Sequence, residues 1–140
     1  MKQKRFENEV AILDKILGRA NYRLEDPYGL RTEFLALVKT ERGKFHYLFF
    51  KMHGYPEVCP TVYVKGELKD CKGNPMSTTD ASMHCYGYED GNTKLCIGWE
   101  SSWNPQTTIA FLYLRGKIWL ECYDSHLVTG KPIDYYLGHA

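Results

Sequence analysis

Two apolar runs joined by a short polar link constrain the fold of this chain more than any other feature of its sequence. The first run, Thr32 to Thr40, holds five consecutive apolar residues, and the second, Lys44 to Met52, is rich in aromatic residues. The link, Glu41-Arg42-Gly43-Lys44, contains the glycine that is typical of a tight hairpin turn. Together with a third strand-like run at Thr61 to Leu68, the pattern predicts a three-strand antiparallel meander.

A helix is predicted before the meander, over about Arg5 to Ala20. Its apolar residues recur at spacings of three and four, as they do on one face of a helix. They are Phe6, Val10, Leu13, Ile16 and Leu17. We expect this helix to end near Gly18 or Asn21, and the cluster Asp26-Pro27-Tyr28-Gly29 to form a turn.

A second helix is predicted near the end of the chain. Asn104 is a good N-cap, Pro105 suits the first helical position, and Gly130 is a typical stop after an end near His126 to Leu127. The expected buried face consists of Ile109, Leu112, Gly116, Trp119, Leu120 and Tyr123. Residues 70 to 103 have loop composition and are expected to be mostly irregular. The order of helix, meander, long loop and helix indicates an α+β domain.

The composition excludes several classes of protein. The chain has 140 residues, which fits one domain over residues 1–140, and its 18 basic and 17 acidic residues give a formal net charge of +1. This balance does not favour a nucleic acid as partner. No apolar run approaches the roughly 20 residues that span a bilayer. The first residues also lack an apolar signal core, so we expect a cytoplasmic protein without a membrane partner.

The cysteines are the first candidates for chemistry. There are five of them, and an odd number without a signal peptide argues against a disulfide framework. Cys96 is the strongest candidate nucleophile, because it ends the irregular stretch just before the second helix, where a thiol can be exposed on a rigid base. His84 and Lys94 are candidate supports for it. The other expectations are that Cys122 packs within the helix, Cys59 is structural and Cys71 is a surface thiol.

The order of these features resembles the ubiquitin-conjugating-enzyme family and its UBC fold. The matching pieces are Tyr55-Pro56 with Pro60, His84, Cys96-Ile97 and Trp103-Asn104-Pro105, and the resemblance runs from about Arg5 to about Gly130. It implies that Cys96 is the catalytic cysteine. It also implies that His84 braces the active loop or acts as a base, and that Trp103 and Pro105 are scaffold.

The resemblance further implies a mechanism and a setting. The last two helices of eukaryotic members are missing, and the tail looks like that of shorter bacterial members encoded in antiphage operons such as CBASS. A transferase of this kind forms a thioester between Cys96 and the C-terminus of a partner protein, then passes the acyl group to an amine. The implied partner is a cGAS-like nucleotidyltransferase or a ubiquitin-like protein, with an activating enzyme beside it. No metal or organic cofactor is expected.

One departure from the family pattern stands out. The family usually reads His-Pro-Asn about ten residues before its cysteine, whereas His84-Cys85-Tyr86 lies twelve residues before Cys96. The family asparagine is credited with supporting the loop or the oxyanion that forms as an amine attacks the thioester. That role is therefore open in this chain, where Asn92 and Asn104 are the nearby asparagines.

Three alternatives stay beside the transferase. The first is a non-catalytic UBC-like binding module, which the missing His-Pro-Asn favours. The second is a Cys-His hydrolase that trims a partner's C-terminus with Cys96 and His84, although the sequence offers no third residue to orient the histidine. The third is a zinc site made of Cys71, His84, Cys85 and Cys96, whose spacings match no compact pairing.

Overall fold

An antiparallel sheet of six strands forms the centre of the protein, described by a computed structural model over residues 1–98 and 100–137. The strands are β1 (Tyr22–Glu25), β2 (Glu33–Lys39), β3 (Phe45–Lys51), β4 (Thr61–Lys65), β5 (Cys85–Glu89) and β6 (Asn92–Leu95). Their order in the sheet is β1-β2-β3-β4-β6-β5, and every pair is antiparallel. The helices are α1 (Gln3–Ile16), α2 (Ile109–Thr129) and α3 (Ile133–Leu137).

The predicted hairpin between the two long apolar runs is confirmed. β2 and β3 pair from Glu33 opposite Lys51 to Lys39 opposite Phe45. Gly43 has a φ of 82°, a conformation that glycine adopts without steric cost and that closes the turn. Alternate residues of both strands enter the core, while the opposite face of the sheet keeps half-buried apolar residues. The hydrophobic alternation of the two strands therefore holds the register of the sheet.

The start of α2 differs from its prediction. The helix begins at Ile109, and the N-cap is Thr108, whose hydroxyl accepts the amide three residues later. Asn104 instead accepts the amide of Gln106 at 2.8 Å and forms a local turn that contains Pro105. A side chain that satisfies a nearby amide competes with helix formation, which explains why Asn104 caps a turn and not the helix.

The buried face of α2 and its stop at Gly130 agree with the sequence, although the helix runs to Thr129, beyond the predicted end near His126 to Leu127. All six residues expected on that face are buried. Gly130 follows the helix with a φ of 77°, and its amide donates to the carbonyl of His126 at 2.8 Å. This left-handed stop is typical of glycine.

The first helix carries a buried carboxylate that its apolar pattern did not predict. α1 ends at Ile16, four residues before the predicted Ala20, and the Ile16 side chain is exposed. Leu13 and Glu9 are its fully buried residues. The Glu9 carboxylate accepts hydrogen bonds from the Ile109 amide at 2.9 Å and from the Tyr55 hydroxyl at 3.0 Å. Burial raises the pKa of Glu9, and the contacts join α1 to the start of α2.

The stretch predicted to be irregular contains a further hairpin, formed by β5 and β6. β5 and β6 lie within residues 70 to 103, of which Trp99 falls outside the described residues. Asp90 and Gly91 both have positive φ and form the turn, and an Asp-Gly pair is a strong hairpin signal. The short strand β1 and the short helix α3 were also not predicted. The fold is therefore α+β, as expected, with six strands instead of three and a further helix after α2.

No helix within the described part of the chain is both long enough and apolar enough to cross a membrane.

Candidate functional site

Cys96 lies directly after β6 and is half-buried. Its amide donates a hydrogen bond to the carbonyl of His84 at 2.9 Å, one step beyond the last paired residues of β5 and β6. The two candidate residues predicted from the sequence are therefore brought together by the backbone. Because the hairpin ends at this bond, the position of the thiol follows from the register of two paired strands.

The carbonyl of His84 is held from a second side by α2. The Trp119 indole Nε1 donates to it at 3.0 Å, and the indole ring is stacked on Tyr123 with centroids 5.5 Å apart. Trp119 is fully buried, so the donor belongs to the packed core. His84 itself has a φ of 49°, in the left-handed region that residues other than glycine seldom adopt and in which asparagine, aspartate and histidine are enriched. These contacts hold the backbone at the cysteine against the core.

The side chain of His84 has a partner that the sequence did not reveal. Its Nε2 lies 2.8 Å from Oδ1 of Asp134, in the first turn of α3. A carboxylate on one ring nitrogen orients the imidazole and leaves the other nitrogen, Nδ1, available. The sequence analysis found no such residue, because fifty positions separate the two side chains and no short motif links them.

Cys96 and His84 share a cavity of about 340 Å³. Its described lining consists of His84, Cys96, Ile97, Gly98, Arg115, Ile118, Trp119 and Leu137. The Arg115 guanidinium donates to the carbonyl of Ile97 through Nη2 at 3.1 Å and Nε at 3.4 Å. Cys96 therefore borders a small space that a histidine, a cation and apolar residues also line. Such a space can hold the end of a chain or the side chain of an amine donor.

The other thiols have environments that suit nucleophilic chemistry less well. Burial raises the pKa of the Cys85 and Cys122 thiols, which keeps them protonated. Cys71 is exposed, as expected, and its backbone amide donates to Nε2 of the buried His126 at 3.0 Å. Cys59 is half-buried and lines a separate, larger cavity of about 750 Å³ beside the Tyr55 to Pro60 loop.

The candidate support Lys94 and the two asparagines near Cys96 in sequence all lie elsewhere. Lys94 pairs with Glu89 at 3.6 Å and lines the larger cavity. Asn92 lies at the opposite end of β6 from Cys96, and Asn104 is engaged in its own turn. Neither asparagine lines the described wall of the Cys96 cavity. Both are therefore poor replacements for the asparagine of the family motif.

Trp103 is a scaffold residue of a different loop from the one that holds Cys96. Its Nε1 donates to the carbonyl of Pro56 at 2.8 Å, and its ring lies 6.2 Å from that of Tyr55. Pro105 is fixed through its carbonyl, which accepts from Arg5 at 2.7 Å. These contacts join the Tyr55 to Pro60 loop, α1 and the segment before α2.

The proposed zinc ligands are not assembled. Among the described residues no three or more histidine, cysteine, aspartate or glutamate side chains are placed to hold a metal ion together. Cys71 lies at the C-terminal end of α2, near Gly130, whereas Cys96 lies at the end of β6. Cys71 therefore lies apart from His84, Cys85 and Cys96, which are neighbours at the end of the β5–β6 hairpin.

Comparison of the chain with protein-family models, with curated proteins and with solved structures found no match. The chemical interpretation of the site therefore depends on its own geometry. That geometry has three features. Cys96 is half-buried and its amide is hydrogen-bonded to His84, the His84 ring is oriented by the Asp134 carboxylate, and Arg115 lines the same cavity as both candidate residues. This geometry suits reactions in which a thiolate attacks a carbonyl carbon and an acyl group stays on sulfur.

Proposed function

We propose that the protein is a ubiquitin-conjugating-enzyme-like acyl carrier with Cys96 as its thiol. The observation that carries the proposal is the hydrogen bond between the Cys96 amide and the His84 carbonyl, which places Cys96 beside His84 at the cavity that both residues line. The order of elements supports it: an N-terminal helix, an antiparallel sheet, the Tyr55 to Pro60 loop, His84, Cys96 and a long helix follow one another as the family resemblance implies. The proposed assignment covers a single UBC-like domain.

The proposed reaction has two steps. In the first, the Cys96 thiolate attacks the activated C-terminal carbonyl of a partner protein. A bond forms between carbon and sulfur, and the activating group leaves with its electron pair. In the second, an amine attacks the thioester, the C–N bond forms, the C–S bond breaks and the thiolate returns. The proton of the amine passes to a base, for which Nδ1 of His84 is the candidate because Asp134 holds Nε2.

The proposed partners are those of the bacterial members of the family. The acyl donor is a cGAS-like nucleotidyltransferase or a ubiquitin-like protein, activated by a separate enzyme, and the setting is antiphage defence. The 340 Å³ cavity supports a narrow donor, such as the last residues of an extended chain, because a folded surface cannot enter it.

The experiment expresses the protein with its neighbouring genes and examines adducts by intact mass and by gels with and without reductant. We expect the wild type to carry a reductant-sensitive adduct. Cys96→Ser is expected to hold the same mass as a reductant-resistant oxyester, and Cys96→Ala to carry none. Cys71→Ser is the matched control, because it removes an exposed thiol outside the cavity and should leave the adduct unchanged. If all four proteins lack an adduct and conjugates are unchanged, Cys96 is not an acyl carrier.

A second candidate function is a Cys-His hydrolase that trims a partner's C-terminus. The contact between His84 and Asp134 favours it, because it supplies the orienting residue that such a mechanism uses. Here water replaces the amine in the second step. The same experiment separates the two functions: a hydrolase shortens the partner in a Cys96-dependent manner and leaves no conjugate on any amine.

A further inference from the structure

Arg115 is a half-buried cation that is held one residue away from the Cys96 backbone. Its guanidinium donates two hydrogen bonds to the carbonyl of Ile97, at 3.1 Å and 3.4 Å. A guanidinium carries five N–H donors, so this carbonyl occupies two of them. Arg115 also lines the cavity that Cys96 lines. The remaining donors are therefore available to a group that enters the cavity.

The charge of Arg115 is not neutralised within the described structure. No described carboxylate lies within the 4.0 Å ion-pair distance of its guanidinium, although eight ion pairs occur elsewhere in the described residues. A cation that is partly removed from water without a counter-charge is unfavourable, and this cost is relieved when an anion binds. The cavity is therefore suited to negative charge.

The loop after the cysteine is shaped around the same guanidinium. Gly98 has a φ of 88°, and a Cβ at this position would lie 3.4 Å from Nη2 of Arg115. A side chain here would be strained by the backbone conformation and would come into van der Waals contact with the arginine. Glycine therefore lets the backbone turn close to the guanidinium, which is a second observation that the segment from Cys96 to Gly98 is built around Arg115.

We propose that Arg115 is the anion-binding group of the Cys96 cavity, where it holds the negative charge that forms when an acyl group is transferred to or from the thiol. Its role as a catalytic residue rests on the proposed function, in which Cys96 carries an acyl group. When an amine attacks the thioester, the carbonyl oxygen becomes an oxyanion. When that intermediate collapses, the C–S bond breaks and the electron pair returns to sulfur as a thiolate. Arginine stays protonated throughout and can bind both anions without exchanging a proton.

This role fills the position left open by the missing asparagine of the family motif. Asn92 and Asn104 lie outside the cavity lining, whereas Arg115 lies within it. Arginine differs from asparagine in carrying a full charge. We therefore expect the site to favour an anionic reagent at the thiol as well as a transient oxyanion.

The first test measures this charge directly and needs no partner protein. Cys96 is alkylated with neutral iodoacetamide and with anionic iodoacetate, and the labelled peptides are quantified by mass spectrometry. In Arg115→Gln, the ratio of the iodoacetate rate to the iodoacetamide rate is expected to fall about fivefold or more, the size expected for losing the attraction between two unit charges about 4 Å apart in water. Arg115→Lys should keep much of the ratio. Lys117→Gln, on the same helix but outside the cavity lining, is the matched control and should leave it unchanged.

The second test measures transfer from the Cys96 adduct that forms during co-expression. Its loss to added hydroxylamine is expected to slow about 100-fold in Arg115→Gln, as for removal of one oxyanion donor. The buried Cys122 should stay slow to alkylate in all variants, which shows that each is folded, and the exposed Cys71 should react equally in all of them.

The outcomes are distinct. An unchanged reagent ratio in Arg115→Gln overturns the proposal, because the cation then does not act at the thiol. A reduced ratio with an unchanged transfer rate overturns the catalytic role. If the wild type forms no adduct, the proposed acyl carrier fails. The reagent ratio alone then decides whether Arg115 is the anion-binding group of this cavity.

Discussion

The amide of Cys96 and the indole of Trp119 donate to the same acceptor, the carbonyl of His84, at 2.9 Å and 3.0 Å. One donor belongs to the loop that carries the thiol, and the other to the buried face of α2. The shared carbonyl therefore connects the candidate site to the core. Any change that shifts α2 relative to the β5–β6 hairpin should alter the environment of Cys96.

Removing the indole donor tests this connection. Trp119→Phe keeps an aromatic ring but deletes the hydrogen bond to His84, and we expect a loss of stability of about 1–3 kcal/mol from the lost bond and the lost volume. The alkylation rate of Cys96 should also change, because its loop is less constrained. Urea unfolding and peptide mapping measure the two effects. Trp103→Phe, which loses a bond to Pro56, is the control and should lower stability without changing Cys96 alkylation. An unchanged Cys96 rate in Trp119→Phe would show that the bond does not hold the loop.

The pair of His84 and Asp134 should act as a unit in acyl transfer. His84→Asn suits this position because asparagine tolerates the left-handed backbone, and we expect transfer to an amine to slow about 100-fold, as for loss of a general base. Asp134→Asn should slow it about tenfold, since the ring is then oriented less well.

Combining His84→Asn with Asp134→Asn tests whether the two residues share one role or act independently. If Asp134 works only by positioning His84, the double variant should transfer as slowly as His84→Asn alone. Effects that multiply would instead show that Asp134 acts independently of the histidine. Single-turnover loss of the Cys96 adduct, followed by intact mass, provides the rates.

Glu9 should make the free energy of unfolding depend on pH, and the direction of the change follows from its raised pKa. Because burial raises its pKa in the folded state, the folded protein keeps a proton that the unfolded chain releases at lower pH. The contribution of Glu9 is therefore complete below the unfolded pKa, about 4.3, and is lost as the pH rises through the higher folded pKa.

A glutamine variant isolates this effect. Glu9→Gln cannot ionise. The stability of the wild type relative to Glu9→Gln should therefore fall as the pH rises from about 4, near the ordinary pKa of a glutamate, to about 8. Glu7→Gln, on the exposed side of α1, is the control and should show no such trend. Carboxylates whose pKa is lowered, such as Asp14 beside Arg19, contribute equally to both proteins and cancel. A difference that grows in the opposite direction would mean that Glu9 is stabilised as an anion.

Local patterns predicted some parts of the fold well and others poorly, for physical reasons. The hairpin of β2 and β3 depends on alternation and on one glycine, and both are visible in sequence. The buried face of α2 depends on helical spacing alone. The β5–β6 hairpin was missed because its strands have only five and four residues, although Asp90-Gly91 marks its turn.

The candidate site could likewise be predicted only in part. Cys96 and His84 could be proposed because a resemblance in order and spacing pointed to them. Asp134 and Arg115 could not, since their contacts with His84 and Ile97 span 50 and 18 positions and use no short motif. Burial of Glu9 was also unpredictable from the helix, because its hydrogen-bond donors come from Tyr55 and Ile109.

The thiols should differ in reactivity in an order set by exposure and pKa. Cys71 is exposed and should be alkylated first, whereas burial raises the pKa of Cys85 and Cys122 and should make both slow. Peptide mapping after brief alkylation of the native protein measures the order. In urea all five thiols should react at similar rates. Labelling of Cys122 as fast as Cys71 in the native protein would show that α2 opens readily.

Gly116 should be required for the close packing of α2 on the sheet. A Cβ at this position would lie 2.7 Å from Cδ1 of Leu48, a fully buried side chain of β3. Alanine in a helix interior is favoured over glycine by about 1 kcal/mol, but overpacking a core costs about 1–3 kcal/mol. Because Leu48 is fully buried and cannot move into solvent, we expect the cost of overpacking to exceed the gain in helix propensity. Gly116→Ala should therefore lower the free energy of unfolding.

A second substitution on β3 distinguishes this clash from a backbone effect. Leu48→Val shortens the side chain that meets the new methyl group, so Gly116→Ala should be less destabilising in the Leu48→Val background than in the wild type. Urea unfolding of the four proteins gives the coupling energy. Arg115 and Trp119 lie on either side of Gly116 in α2, so the displaced helix should also change the alkylation rate of Cys96. A Gly116→Ala protein more stable than the wild type would show that Leu48 gives way freely and that helix propensity decides the sign.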